Sequence, residues 1–139
     1  MIQLITDRTK SDVLLGTKKG RYGAEDLNRV EQAVADLVGL AGELGIPIAV
    51  QTKTDWATPG AFSVDRWPVK SQMDRYLSNV HRLCDALEVT IDLPSSMENL
   101  NWEGANQIEQ ALLLVYEKIQ TALQAVQFND GTEGVNHGN

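Results

Sequence analysis

A single cysteine, Cys84, stands in 139 residues, which excludes an internal disulfide and a thiolate metal cluster. Basic residues are scarce. Twelve Lys and Arg against nineteen Asp and Glu give a net charge of −7 and a pI near 4.7. That balance disfavours nucleic acid or an anionic membrane as partner, since both need a basic face. The longest apolar stretch, ALLLVY at 111–116, is far too short to span a bilayer. The start, MIQLITDRTKSD, has no basic flank leading into a long apolar run, so no secretory signal is expected. The product is read as made in a reducing cytoplasm. A Gly-rich phosphate loop, a nucleophile elbow and a metalloprotease helix are also missing. The 42% apolar content suffices for one modest core and a single domain.

What is present is a phrase written twice. AEDLNRVEQAV at 24–34 and WEGANQIEQAL at 102–112 share five identities in eleven ungapped positions at an offset of 78. The identities are Glu25/Glu103, Asn28/Asn106, Glu31/Glu109, Gln32/Gln110 and Ala33/Ala111, an internal repeat. Around each copy the apolar residues keep helical spacing. Leu27, Val30, Val34, Leu37, Ala41 and Leu44 form one stripe; Ala105, Ile108, Leu112, Val115, Ile119, Ala122 and Val126 form another. Met73, Tyr76, Val80, Leu83 and Leu87 form a third, and a shift of 46 sets Arg75 on Arg29 as a degenerate further copy. Such stripes must be buried.

The expected fold is mainly α: three amphipathic helices, about 24–44, 69–87 and 102–127, in a bundle. Gly23 and Asn101 open the first and third helices, and Gly45 with Pro47 closes the first. Thr9 with Asp12 resembles a capping pair for a short helix ending by Gly20. Ile46, Ile48, Val50, Thr52 and Thr54 alternate, as do Val89, Ile91 and Leu93, which predicts a minor two-stranded ribbon. Residues 1–128 form the domain, with 1–20 as an N-terminal segment. The remainder, 129–139, within NDGTEGVNHGN, is expected to be a flexible tail.

The candidate site residues are polar and aromatic. Asn28, Glu31, Asn106 and Glu109 flank the stripes, where the amides either anchor an incoming loop by its backbone or touch a partner. His81 and Cys84 are spaced for one metal, but no third ligand completes a shell, since His137 lies in the tail. Asp7, Asp12, Asp55, Asp65 and Asp92 fall in turns and caps, without an evident catalytic pair. No cofactor is expected. Trp56, Trp67 and Trp102 lie outside the stripes, either packed back as staples or exposed to a partner or a sugar.

Five phrases in fixed order carry a resemblance: ITDRTKSDV at 5–13, YGAEDLNRVE at 22–31, TKTDW at 52–56, MDRYLSNV at 73–80 and LPSSMENLNWEGANQIEQALL at 93–113. The set resembles a group of small, mostly helical proteins encoded among the tail genes of tailed phages and prophages of Gram-positive bacteria. It departs from them at Trp102, where a smaller or hydroxylated residue is expected. The resemblance implies a virion-associated, non-enzymatic structural or adaptor role at the baseplate or fibre-attachment end. Its partners would be other tail proteins or further copies in a homo-oligomer, contacted through Trp56, Trp67 and the segment 1–20. A tail-tip module for cell-surface carbohydrate, or a soluble assembly factor, is the alternative.

Overall fold

The computed structural model describes residues 2–56 and 69–136, with side chains as far as Ala125. Four helices follow in order: α1 Lys10–Leu15, α2 Ala24–Glu43, α3 Lys70–Ala86 and α4 Trp102–Asn136. The fold is mainly α.

Local chemistry sets the ends. Thr9 and Asp12 form a capping box on α1, with Asp12 N donating to Thr9 Oγ1 at 3.2 Å and Thr9 N to Asp12 Oδ2 at 2.9 Å. A β-carbon on Gly20 would fall 2.3 Å from the Asp12 carbonyl oxygen, so only glycine lets the chain double back there. Asn101 caps α4 through Gly104 N at 2.7 Å. α2 and α3 end in the same left-handed device. Ile46 N donates to Ala41 O and Gly45 N to Gly42 O, both at 3.0 Å; Val89 N donates to Cys84 O at 2.8 Å and Glu88 N to Asp85 O at 3.3 Å. Gly45 takes φ 79° without cost, whereas Glu88 takes φ 58° with a β-carbon. α4 runs on to Asn136, past the expected end near 127. Gly131 and Gly134 weaken a helix without breaking it.

All three long helices point the same way. Arg29, sixth in α2, reaches Glu109, eighth in α4. Arg75, sixth in α3, reaches Glu31, eighth in α2. Farther along, Lys118 of α4 donates to Glu88 O at the end of α3. Parallel neighbours need connections that run back the full helix length, and residues 46–56 and 88–101 do so outside the helices. Residues 2–8 form a third arm of the same sense, since Ile5 meets Glu109 and Arg8 meets Asn106. The molecule is therefore an arm-then-helix unit used three times, with α2, α3 and α4 each packed on the other two.

The predicted ribbon is corrected: no strand forms among the described residues. Alternation is real, because Ile46, Ile48 and Val50 are half-buried against the core while Pro47 and Ala49 are exposed. The backbone, however, bonds to side chains. Arg82 donates to Ala49 O at 2.8 Å, and Asn79 (2.7 Å) and Arg75 donate to Gln51 O. Helix side chains occupy the carbonyls a partner strand would need.

The core follows the stripes. Val30, Leu37, Val80, Leu83, Ile108, Leu112, Val115 and Ile119 are fully buried. Truncating Ile108 to Ala should cost about 2–5 kcal/mol, while Leu14→Ala on α1 should stay within about 0.5 kcal/mol. Glu88→Gly should gain up to about 1 kcal/mol by removing the left-handed strain. Urea titrations of the three variants check all of this.

Candidate functional site

The repeated phrase builds two polar locks, each holding one arm. In the first, Asn106 takes both backbone groups of Arg8: Arg8 N donates to Oδ1 at 3.0 Å, and Nδ2 donates to Arg8 O at 2.9 Å. In the second, Asn28 does the same to Trp56, with Trp56 N donating at 2.8 Å and Nδ2 donating to Trp56 O at 3.0 Å. An amide carries one acceptor and one donor at the spacing of a residue's own N–H and C=O, so Asn can replace a strand partner. Both Asn residues are fifth in their helices, where the first turns meet the incoming arm.

One turn on, each helix buries a carboxylate. Glu109 is fully buried and receives four donors: Ile5 N at 2.9 Å, Arg8 Nη2 at 2.6 Å, Arg29 Nε at 2.8 Å and Arg29 Nη2 at 2.7 Å. Asp26 shares the two cations, through Arg29 Nη2 at 2.6 Å and Arg8 Nη2 at 3.2 Å. Glu31, also buried, takes Trp56 Nε1 at 2.9 Å and Arg75 Nη1 and Nη2 at 3.0 and 2.6 Å. Two cations face two anions in the first lock and one faces one in the second, so each is neutral. Neutrality and full hydrogen bonding are what let ions remain beside an apolar core. Burial alone would lower the Arg29 pKa, but its bonds to Glu109 and Asp26 outweigh that and raise it.

A third lock would join α4 to α3. Its arginine position is Gln107 and its glutamate position is Leu77, which is buried in the core. That loss is why the middle copy reads as degenerate.

Above the first lock, the Arg8 guanidinium lies 5.3 Å from the centre of the Tyr22 ring. The Tyr22 hydroxyl bonds that of Tyr76. Burial, which outweighs their mutual bond for Tyr22, pushes both phenols above their usual range. Burial also pushes the Cys84 thiol up to about 11, with Asp85 adding to it. Cys84 sits in the core while His81 is exposed, and no group of three or more metal-binding side chains occurs among the described residues.

The aromatic expectations divide. Trp56 is only 4% exposed, which corrects its reading as a partner or sugar contact: its backbone is clamped and its indole N–H is used by Glu31. Trp102 is half-buried and lines a cleft of about 400 Å³ with Val13, Tyr22 and Leu100. Trp67 lies outside the described residues. Glu25 and Glu103 are exposed, and Glu25 makes only a surface pair with Lys18, of the kind that contributes little.

Sequence reading passed over Arg8 and Asn79 and gave Arg75 no role. Two signals pointed to these residues: the match of Thr6-Asp7-Arg8 with Thr54-Asp55-Trp56, and the need of any buried glutamate for a cation. The two oxygens of Glu109 together accept those four hydrogen bonds. What the locks do chemically is hold three chain segments in place.

Asn106→Ala and Asn28→Ala should each cost about 1–3 kcal/mol, and the double variant close to their sum, because the locks share no residue. Glu109→Gln should cost about 3–5 kcal/mol by stranding buried arginines. Chemical denaturation measures all four, and an unchanged midpoint for Asn106→Ala would contradict the clamp. With folded phenol pKa values raised, stability is complete below pH about 10 and falls as pH rises further, because only the unfolded chain can ionise. The slope should approach about 1.4 kcal/mol per pH unit for each phenol, and Tyr22→Phe with Tyr76→Phe should flatten it.

No protein-family model matches this chain, and neither a curated protein nor a solved structure does.

Proposed function

We infer that this protein is a non-enzymatic structural or adaptor component of a phage or prophage tail, working at its baseplate or fibre-attachment end. The observation that carries the reading is where the five resembling phrases fall in the fold. The first supplies Ile5 and Arg8, the second Asp26, Asn28, Arg29 and Glu31, the third Trp56, the fourth Arg75 and Asn79, and the fifth Asn106 and Glu109. Each contributes to a lock, so the likeness to tail proteins reaches the residues that hold the arms on their helices. Three parallel helices in a bundle, with arms in the grooves, make a rigid body suited to repetition in an assembly.

The polar residues that looked most like chemistry are consumed by this architecture. Glu31 and Glu109 are saturated by arginine and backbone donors, which supports an adaptor over a hydrolase. Burial of Trp56 likewise removes one aromatic that a sugar-binding face would use. On this reading the partners are other tail proteins or further copies around a three- or six-fold axis. Neither a cofactor nor nucleic acid nor a membrane belongs to it.

Mass spectrometry of purified particles from an induced lysate, set against the soluble fraction, tests the reading. The expected result is the protein in tails at a copy number divisible by three or six. Recovery from the soluble fraction alone would replace a tail component with an assembly factor.

A further inference from the structure

The three arms are not held alike. Each of the first two has a fully buried anchor, Arg8 at 3% and Trp56 at 4% exposure, whereas no residue of 88–101 is buried. Val89, Ile91, Leu93, Met97 and Leu100 are half-buried against the core and are all that this third arm packs there in the way of large apolar groups. Lys118 meets the arm's backbone only at its first residue, Glu88 O, at 3.2 Å. From Thr90 to Leu100, among the described residues, the arm's bonds are its own: Glu98 N donates to Ser96 Oγ at 3.2 Å and Leu100 N to Met97 O at 3.3 Å.

The repeat explains the difference. The clamp position, fifth in its helix, is Asn28 in α2 and Asn106 in α4 but Asp74 in α3. An ionised carboxylate only accepts, so it cannot take both the N–H and the C=O of one residue. Asp74 is instead bonded by Lys70 at 2.7 Å. The side chains that meet the second arm along 49–51 are missing as well. Arg75, Asn79 and Arg82 of α3 correspond, 32 positions on, to Gln107, Ala111 and Leu114 of α4, of which only Gln107 can donate. With Leu77 at the glutamate position, the groove between α3 and α4 has lost the clamp, the buried ion and two of three side-chain donors together.

Backbone strain marks both ends of the same arm. Among the described residues, the non-glycine residues with left-handed φ are Glu88 at 58° and Asn99 at 59°. Backbone in a sparsely populated well persists only while its surroundings impose it, so both positions relax if the arm lifts. Beneath the arm's second half, a polar cleft of about 350 Å³ separates Pro94, Ser96 and Asn99 from Glu103 and Gln107 of α4. The closest approach is at Gly104, where a β-carbon would fall 3.0 Å from Leu100 Cδ1.

We propose that residues 88–101 form a strap that opens by itself, swinging on Glu88 and Asn99, while the first two arms stay locked and the three long helices stay packed. Neither lock takes a residue from 88–101, so the strap lifts without breaking either. Its opening uncovers α4 around Gly104 and Gln107. Local openings of this kind cost less free energy than global unfolding and are drawn from the least anchored segments.

Thiol labelling of the full chain with a soluble disulfide reagent tests this, with Cys84→Ala removing the native thiol. Val50 and Leu93 hold matching half-buried places, since Leu44-Gly45-Ile46 aligns with Leu87-Glu88-Val89 at an offset of 43. Leu93→Cys should react at least roughly tenfold faster than Val50→Cys, at a rate that barely changes with urea below the unfolding midpoint, the mark of a local opening. Val50→Cys should instead accelerate with urea in step with global unfolding. Adding Asn28→Ala should speed Val50→Cys by roughly tenfold, because it removes the clamp that the third arm never had. Circular dichroism and a cooperative melt check that each variant folds, and Ile48→Cys with Ile91→Cys is the second matched pair for a variant that does not. Equal rates at the two sites would overturn the proposal, and so would a Leu93→Cys rate that follows global unfolding. A Val50→Cys rate untouched by Asn28→Ala would overturn it too, since the clamp would not be what separates the arms.

Discussion

A carboxylate buried beside an apolar core stays ionised only if cations and hydrogen-bond donors are brought to it. Glu31 and Glu109 impose that demand at corresponding places on two helices, and much of the architecture is the response. Glu109 draws Arg29 from the neighbouring helix and Arg8 from the N-terminal arm. Glu31 draws Arg75 from α3 and the indole of Trp56 from the second arm. Each carboxylate therefore joins three segments distant in sequence. The amides of Asn106 and Asn28 then fix each arm's register to one residue. The ions are better understood as specifying which arm lies in which groove than as raising stability, because an apolar substitute of the same shape can be equally stable.

The parallel arrangement follows from the same constraint. An arginine at the sixth position of one helix meets a glutamate at the eighth of the next in both locks, and only like-directed helices keep those levels aligned. Parallel neighbours align their dipoles, which repel side by side. Glu25 and Asp26 lie in the first turn of α2 and Glu103 in that of α4, where negative charge offsets the positive ends. Long return arms are the other consequence, and they leave backbone groups that a sheet would normally satisfy. Arg75, Asn79 and Arg82 meet those groups along 49–51. The exposed leucines of α1 are left at the end where the long helices begin.

Much of this was legible in the residues. Stripe spacing located three helices and their buried faces, from Leu27 to Ala41, Tyr76 to Leu87 and Ala105 to Ile119. Gly45, Asn101 and the Thr9–Asp12 pair marked ends because their chemistry is local. The Asn–Glu repeat pointed to the lock positions. Direction was not legible, since an apolar period is the same read either way. Alternation at 46–54 reported half-burial faithfully, but a ladder also needs a partner backbone, and helix side chains had taken that role. The place of Trp56 was hidden for a related reason: whether an indole faces water depends on a carboxylate 25 positions away in sequence. No periodicity links Arg8 to Glu109 across 101 positions.

The central claim is that two non-helical arms are held as firmly as the helices they lie on. Native-state amide hydrogen exchange at Ile5, Arg8 and Trp56 tests it most directly, because those three N–H groups donate only to Glu109, Asn106 and Asn28. The account predicts protection close to that of the α2 and α4 core amides, lost only with global unfolding. Exchange at the rate of an exposed loop, while the helices stay protected, would contradict it.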